Sequence, residues 1–470
     1  MKHVHAFGDD CLGELDAVGL AKQIADGETT ASEALEASLA RLDRIEPTLS
    51  AVAIDDRERA RERAATSPFS GPFAGVPTVI KNNTAFAGIA TRSGSAATPA
   101  SAAQADEPFT GEFVGTGLNV FGASTMPAFG LTATTEFVDR DPTRNPWDTD
   151  FSAGASSGGS AVLVAAGVVP IAHGNDGGGS LRIPAAACGL VGVKPSRGRT
   201  APAELTKNLP IDLVSNGVMT RTVRDSVAFL ADVERRHPAS KLKPIGAVEG
   251  PGDKRLKIAL VNTPITGGLL DRPTDSALME TVDLLESLGH RVNTVPLPVD
   301  RSFVDQFIDY WGLLAFGIDR LGKVSVGKGF DRSQVDSFTR GLSNTFLRHF
   351  YRLPGDVLGL KRGSRIFRAI FDEFDVVLSP TLGHVTPRIG DLAPTGDFDE
   401  ILDGLIRYVS FTPANNVSGT PAVSLPLGST PDGLPVGVHL CTDLGDERTL
   451  LELSYELEAA RPFARIQDAV

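Results

Sequence analysis

Cysteine is scarce in this chain: Cys11, Cys188 and Cys441 are the three in 470 residues, far apart and without a Cys-x-x-Cys pair. An odd, scattered set excludes a disulfide framework and fits a reducing compartment, so the expected location is cytoplasmic. Positive charge is also short, with a formal net charge of −13 and no basic block. Such a surface repels phosphate backbones and anionic lipid, so neither nucleic acid nor a membrane is an expected partner. The longest apolar stretch, residues 161–172, contains Gly167 and Pro170 and is too short to span a bilayer. Met1-Lys2-His3-Val4-His5-Ala6 is not followed by the apolar core of a signal peptide. The eight histidines form no cluster, and no repeat or low-complexity linker divides the chain.

What is present is the composition of a folded protein, 41% apolar and 22% charged, with ample material for a large core. Asp16 can cap a helix over residues 17–25. Thr30-Ala31-Ser32-Glu33 is a capping box opening a second helix, with Leu35, Leu39, Leu42 and Ile45 on one face and Pro47 expected to end it. A third helix is expected over 57–65. Short β-branched runs at 76–80, 191–193, 257–261, 291–295, 375–378 and 422–427 alternate with helical segments such as 275–288. This alternation predicts an α/β fold with a parallel or mixed sheet. The expected organisation is one domain over 1–470. It comprises a helical segment near 10–66, a Gly/Ser-rich core near 71–200 and a variable substrate-side region near 300–405, which reads as the least regular part.

Two segments carry a possible chemistry, Gly154-Ala155-Ser156-Ser157-Gly158-Gly159-Ser160 and Gly174-Asn175-Asp176-Gly177-Gly178-Gly179-Ser180. Successive glycines ending in serine permit tight turns that expose backbone N–H groups, as an oxyanion site requires. The apolar run 161–169 between them predicts a buried helix that folds the two clusters together. A serine hydroxyl needs a base. Lys81 follows Val79-Ile80 at a probable strand end, where burial would lower its pKa and leave a neutral amine. Each feature also has a plainer reading, since a Gly-rich loop is usually a turn and a strand-end lysine usually a solvated charge.

The run Gly158-Gly159-Ser160 through Gly174-Asn175-Asp176-Gly177-Gly178-Gly179-Ser180-Leu181-Arg182-Ile183-Pro184 to Lys194-Pro195 closely resembles the amidase signature family. Gly75-Val76-Pro77 leading to Lys81, Arg144-Asn145-Pro146-Trp147, Thr220-Arg221-Thr222-Val223-Arg224-Asp225 and Asn415-Asn416-Val417-Ser418-Gly419-Thr420-Pro421-Ala422 resemble further stretches of that family. The landmarks run in order from about residue 10 to 465, with the family's 24-residue spacing between Ser156 and Ser180.

The resemblance implies a large twisted mixed β-sheet sandwiched between α-helices. It also implies a serine hydrolase cleaving amide C–N bonds through a Ser-cisSer-Lys triad. Ser180 would attack the carbonyl carbon, and Ser156, held by a cis peptide, would relay the proton between Ser180 and Lys81. Backbone N–H groups of Gly177, Gly178, Gly179 and Ser180 would receive the oxyanion. Asp176 and Arg182 would form a structural pair, while Met126, Phe129 and Ser157 would be substrate contacts. Aryl amides, amide oligomers and carbamates (urethanes) are all implied substrate classes. No metal or organic cofactor is implied, and the chain would work as a monomer or homodimer on a small-molecule amide or carbamate.

Three positions depart from the family's usual pattern: Asn82 stands where Asp is common, Asn175 where Thr is common, and Gly177 where Thr or Ile is common. Three alternatives stand beside this reading. Gly154-Ala155-Ser156-Ser157-Gly158 fits a nucleophile elbow, which would need a later acid and histidine such as Asp375 and His439. A glutaminase-type subunit of a tRNA-dependent transamidation complex would share the signature. A non-catalytic binding protein could retain a relic site. The aromatic group Phe303, Phe307, Tyr310, Trp311 and Phe316 reads as core or as pocket wall.

Overall fold

A computed structural model describes residues 3–469. The N-terminal helices form where their signals predict. Asp16 accepts from the Gly19 N–H at the head of helix Ala17–Asp26, and Thr30 and Glu33 close a reciprocal capping box on helix Ala31–Leu49. Pro47 does not end that helix. It lies inside the last turn, where its missing N–H removes a single bond, and the chain leaves only at Ser50, in a left-handed conformation with φ 50°. Helix Arg57–Thr66 follows.

Eleven strands form among the described residues: β1 (Val52–Asp55), β2 (Pro77–Lys81), β3 (Asn119–Ser124), β4 (Ile171–Asp176), β5 (Val191–Lys194), β6 (Ser215–Thr220), β7 (Lys257–Leu260), β8 (Arg291–Thr294), β9 (Val376–Pro380), β10 (Ala422–Ser429) and β11 (Pro435–Cys441). Eight of them form one mixed sheet in the order β4-β6-β5-β10-β11-β9-β7-β8. Pairing is antiparallel from β4 to β9 and parallel from β9 through β7 to β8. The remaining three form a separate small sheet, β1-β3-β2.

Side-chain alternation places helices on both faces of the large sheet. Ile258, Leu260, Val376, Leu378, Val438 and Leu440 join one buried cluster with Leu230, Leu278 and Leu450, from helices Val223–Arg236, Arg272–Ser287 and Glu447–Ala460. The intervening Ala259, Val377 and Cys441 face the other way, into a cluster with Phe303, Tyr310, Leu360 and Phe367. Each fully buried aliphatic side chain of this kind contributes about 1.5–3 kcal/mol, so both layers are held by burial.

The stretch 300–405 is far more regular than its sequence predicts. Helices Arg301–Ser325, Ser337–His349, Leu353–Arg368 and Phe398–Tyr408 fill most of it. Its apolar residues repeat at helical spacing, and several of the glycines that obscure the pattern, Gly312, Gly322 and Gly341 among them, are close-packing points. A Cβ at Gly312, for example, would sit 2.9 Å from the Leu342 carbonyl oxygen. Among the described residues no helix is long and apolar enough to cross a membrane.

Candidate active site

Lys81 ends β2, a strand buried at every position. Its side chain is fully buried and makes no salt bridge. Nζ lies 2.7 Å from Ser156 Oγ and donates to the amide oxygen of Asn175 at 2.6 Å. Burial pushes the amine down to about 7, opposed by the negative charge of Asp176. The strand is fixed against β4 from two points: Thr78 Oγ1 donates to the Ile171 carbonyl, and the Lys81 N–H donates to His173 Nδ1. Burial holds His173 uncharged, its pKa lowered to about 3. The juxtaposition of the two sheets therefore positions the lysine.

Ser156 lies just ahead of helix Gly158–Ala165, the expected buried helix, in which every residue is inaccessible. The turn before it needs Gly154, at φ 84°, because a Cβ there would meet Pro184 Cα at 2.7 Å. The Ser156 N–H reaches Ser180 Oγ at 3.4 Å, so Lys81, Ser156 and Ser180 come together as the sequence predicts. No peptide bond among the described residues is cis. The cis peptide implied at Ser156 is thus not adopted, and the trans form is the lower-energy one for a non-proline residue.

Asp176 ends β4 and anchors the turn that follows. Its carboxylate accepts from the Gly179 and Leu181 N–H groups, from Arg182 Nε and Nη2, and from Asn416 Nδ2. The adjoining Arg182 guanidinium outweighs burial and holds this carboxyl well below the usual range. Arg182 in turn reaches Asn415, Asn416 and His439, and both charged side chains are wholly inaccessible. The expected structural pair is present, within a network that recruits residues more than 230 positions away.

This network corrects the expected oxyanion set. The Gly179 N–H is taken by Asp176 at 2.7 Å, and Gly179 does not line the cavity, whereas Gly177, Gly178 and Ser180 do. Gly179 serves the backbone instead. Its φ is 133°, and a Cβ would sit 2.4 Å from Thr412 Oγ1, which donates to the Gly178 carbonyl.

A cavity of about 680 Å³ opens onto Ser156 and Ser180. Apolar side chains dominate its lining, among them Phe129, Leu131, Ile183, Phe303, Phe307 and Trp311. Among the described residues two ionisable side chains line it, Glu107 and Glu204, and no lysine or arginine does. Of the expected substrate contacts only Phe129 is on the wall. Met126 is fully buried and does not line the cavity. Ser157 is buried too, its hydroxyl paired with the Asn175 main chain through N–H and carbonyl. Among the aromatic group, Tyr310 is a core residue bonded to the Ile211 main chain and Phe316 packs on Phe346. Phe303, Phe307, Trp311, Leu314 and Ile318 recur every three or four residues, a helical face the sequence contained.

The nucleophile-elbow alternative fails on geometry. Asp375 binds Lys254 and the Lys257 N–H, while His439 binds Arg182 and Ser379. Asn82 ties its loop, accepting from the Arg92 N–H and donating to the Ala90 carbonyl.

A family model described as Amidase matches residues 33–451. The chain is 46% identical over 468 residues to a putative amidase, AmiC, of Mycobacterium leprae (strain TN), covering 99% of both. It is 33% identical, over an alignment of 485 positions, to the 6-aminohexanoate-cyclic-dimer hydrolase of Paenarthrobacter ureafaciens, covering 95% of each. Among solved structures, a 6-aminohexanoate cyclic dimer hydrolase complexed with substrate matches with a TM-score of 0.88 at 29% identity, over 97% of this chain and 99% of that one. A bacterial aryl acylamidase matches with a TM-score of 0.84 at 27% identity, over 97% and 98%.

Proposed function

The chain belongs to the amidase family and is an amide-hydrolysing enzyme, and from that premise we propose that it cleaves neutral, apolar amides through an acyl-enzyme on Ser180. The observation that carries this reading is the buried Lys81 amine, 2.7 Å from Ser156 Oγ at the foot of an apolar cavity that also opens onto Ser180. Neutral Lys81 takes the Ser156 proton as Ser156 Oγ takes that of Ser180, and Ser180 Oγ attacks the carbonyl carbon. N–H groups of Gly177, Gly178 and Ser180 receive the oxyanion. Collapse breaks the C–N bond as the proton returns through Ser156 to the departing nitrogen, which leaves only as the amine. Water then attacks the ester carbonyl by the reverse relay, releasing the acid and restoring Ser180.

A wall without cationic side chains suits a substrate that carries no free carboxylate. This disfavours glutamine, whose α-carboxylate would find no cationic partner among the lining residues, and with it the transamidation-subunit reading. Amide oligomers, aryl amides and carbamates remain the substrate classes. The related hydrolase of 6-aminohexanoate cyclic dimers supports the first of these and the aryl acylamidase the second. We place the chain as a stand-alone, single-domain cytoplasmic enzyme, a monomer or homodimer.

The test is hydrolysis, by the purified chain and by Ser180→Ala, of acetyl and hexanoyl p-nitroanilides, an aliphatic amide, an aryl carbamate and glutamine. The expected result is Ser180-dependent release from the neutral substrates. Hexanoyl should be preferred over acetyl by at least tenfold, since each buried methylene contributes about 0.8 kcal/mol. Turnover of glutamine alone would reverse the reading. The pH dependence follows from the lysine: kcat/KM should rise as the amine loses its proton, with an acid limb near pH 7.

A further inference from the structure

Lys81 has a second partner that the relay does not use. Asn175 Oδ1 accepts from Nζ at 2.6 Å, and Asn175 Nδ2 donates to Asn83 Oδ1 at 2.9 Å. The Asn83 amide nitrogen lies 3.4 Å from Asn175 Oδ1, so the two amides interlock. Both residues line the cavity, and the Asn175 main chain is pinned by Ser157 Oγ.

The chemistry of this contact is directional. A neutral amine has two N–H donors and one lone pair, and only the lone pair can take the Ser156 proton. An amide oxygen is an acceptor and nothing else, so it engages one N–H and leaves the lone pair for Ser156. The amide's other end would do the opposite, donating to the lone pair and blocking the base. Asn83 decides between the two, because its Oδ1 takes the Asn175 NH2 group and turns the oxygen towards Nζ. A carboxylate at the same place would also accept, but its charge would hold the proton on the lysine.

Resting on the lysine-base reading above, we propose that Asn175, oriented by Asn83, is the positioning residue for the Lys81 amine: a neutral acceptor that aims its lone pair at Ser156 and keeps it available as a base near neutral pH. The charged surroundings are few. Asp176, beyond Asn175 on β4, is ion-paired with Arg182, and what remains of its charge works against the burial that lowers the amine's pKa. His173 on the same strand is uncharged. The flanking β3 (Asn-Val-Phe-Gly-Ala-Ser) and helix Gly158–Ala165 carry no ionisable side chain. A charge introduced at 175 would therefore dominate the amine's environment.

The experiment is the pH profile of kcat/KM on one anilide for wild type, Asn175→Asp, Asn175→Thr and Asn83→Asp, with thermal unfolding of each. The carboxylate in Asn175→Asp should move the acid limb up by at least one pH unit. Activity at pH 7 should fall at least fivefold and recover in alkali. Asn175→Thr supplies a neutral hydroxyl acceptor and should keep the limb in place while lowering kcat more than it changes KM. Asn83→Asp, one residue further out, should shift the limb in the same direction by less, and serves if Asn175→Asp does not fold. Losses with an unmoved limb in both Asp variants would make Asn175 a packing residue and overturn the proposal. A wild type with no limb near neutral pH would instead remove the lysine-base reading itself.

Discussion

Lys81→Met should lose three to four orders of magnitude in kcat/KM on an alkyl amide and far less on a p-nitrophenyl ester. The scale is that of general acid–base catalysis, about 10²–10⁴-fold. The asymmetry arises because an amine must be protonated to depart, whereas p-nitrophenolate leaves without help. Equal losses on both substrates would contradict leaving-group protonation as the lysine's contribution.

The same variant should keep its fold. The amine's pKa falls from 10.5 unfolded to about 7 folded, which corresponds to roughly 4 kcal/mol of destabilisation at pH 7. The sign follows from proton binding: the folded state holds fewer protons than the unfolded chain between these values. The penalty is thus full below pH 7 and fades as pH rises towards 10.5. Methionine removes it, while Ser156 Oγ and Asn175 Oδ1 each lose a hydrogen-bond partner at about 1–3 kcal/mol. The two sides nearly cancel, so urea unfolding at pH 7 should place the variant close to wild type. Activity lost together with the fold would contradict this assignment.

Arg182→Leu should be the most destabilising single change near the site, at roughly 3–5 kcal/mol, the cost of leaving a buried charge unpaired. Arg182 supplies two of the five donors recorded to the Asp176 carboxylate. The remaining donors cannot offset an isolated carboxylate with no access to water. The double variant Asp176→Asn/Arg182→Met removes both charges and should recover much of the stability in urea unfolding. It should remain inactive, because asparagine keeps one acceptor oxygen where two hold the Gly179 and Leu181 N–H groups, and with them the turn 177–180. Recovery of turnover by the double variant would show that the turn does not depend on this pair.

Legibility in the sequence tracked how local each feature is. Lys81, Ser156, Ser180 and the Asp176–Arg182 pair sit in two short segments and a strand end, and the structure brings all of them together. Capping residues were equally readable, since Asp16 and Thr30 act within four positions of themselves. What failed depended on contacts across the chain. Gly179 looked like an oxyanion donor until Asp176 took its N–H, and Met126 and Ser157 looked like substrate contacts until burial removed them. Thr412, Asn415 and Asn416, at a short helix Pro413–Ser418, and His439, on β11, reach the turn or its Arg182 from far along the chain, and no spacing rule announces that. Residues 303–318 carried a helical repeat that glycines and mixed aromatics obscured. Asn175 was visible as a departure from the family's threonine, but its meaning required the position of Nζ.

Ser180 carries the acyl group, and its hydroxyl is activated through Ser156 and Lys81. The most direct measurement is intact-protein and peptide mass spectrometry after treatment with a fluorophosphonate, on wild type, Ser180→Ala and Lys81→Met. The account predicts one adduct per chain on the peptide bearing Ser180, no adduct in Ser180→Ala, and slow labelling in Lys81→Met. An adduct on Ser156, or undiminished labelling of Ser180→Ala, would contradict it, and an unlabelled wild type would favour a relic site.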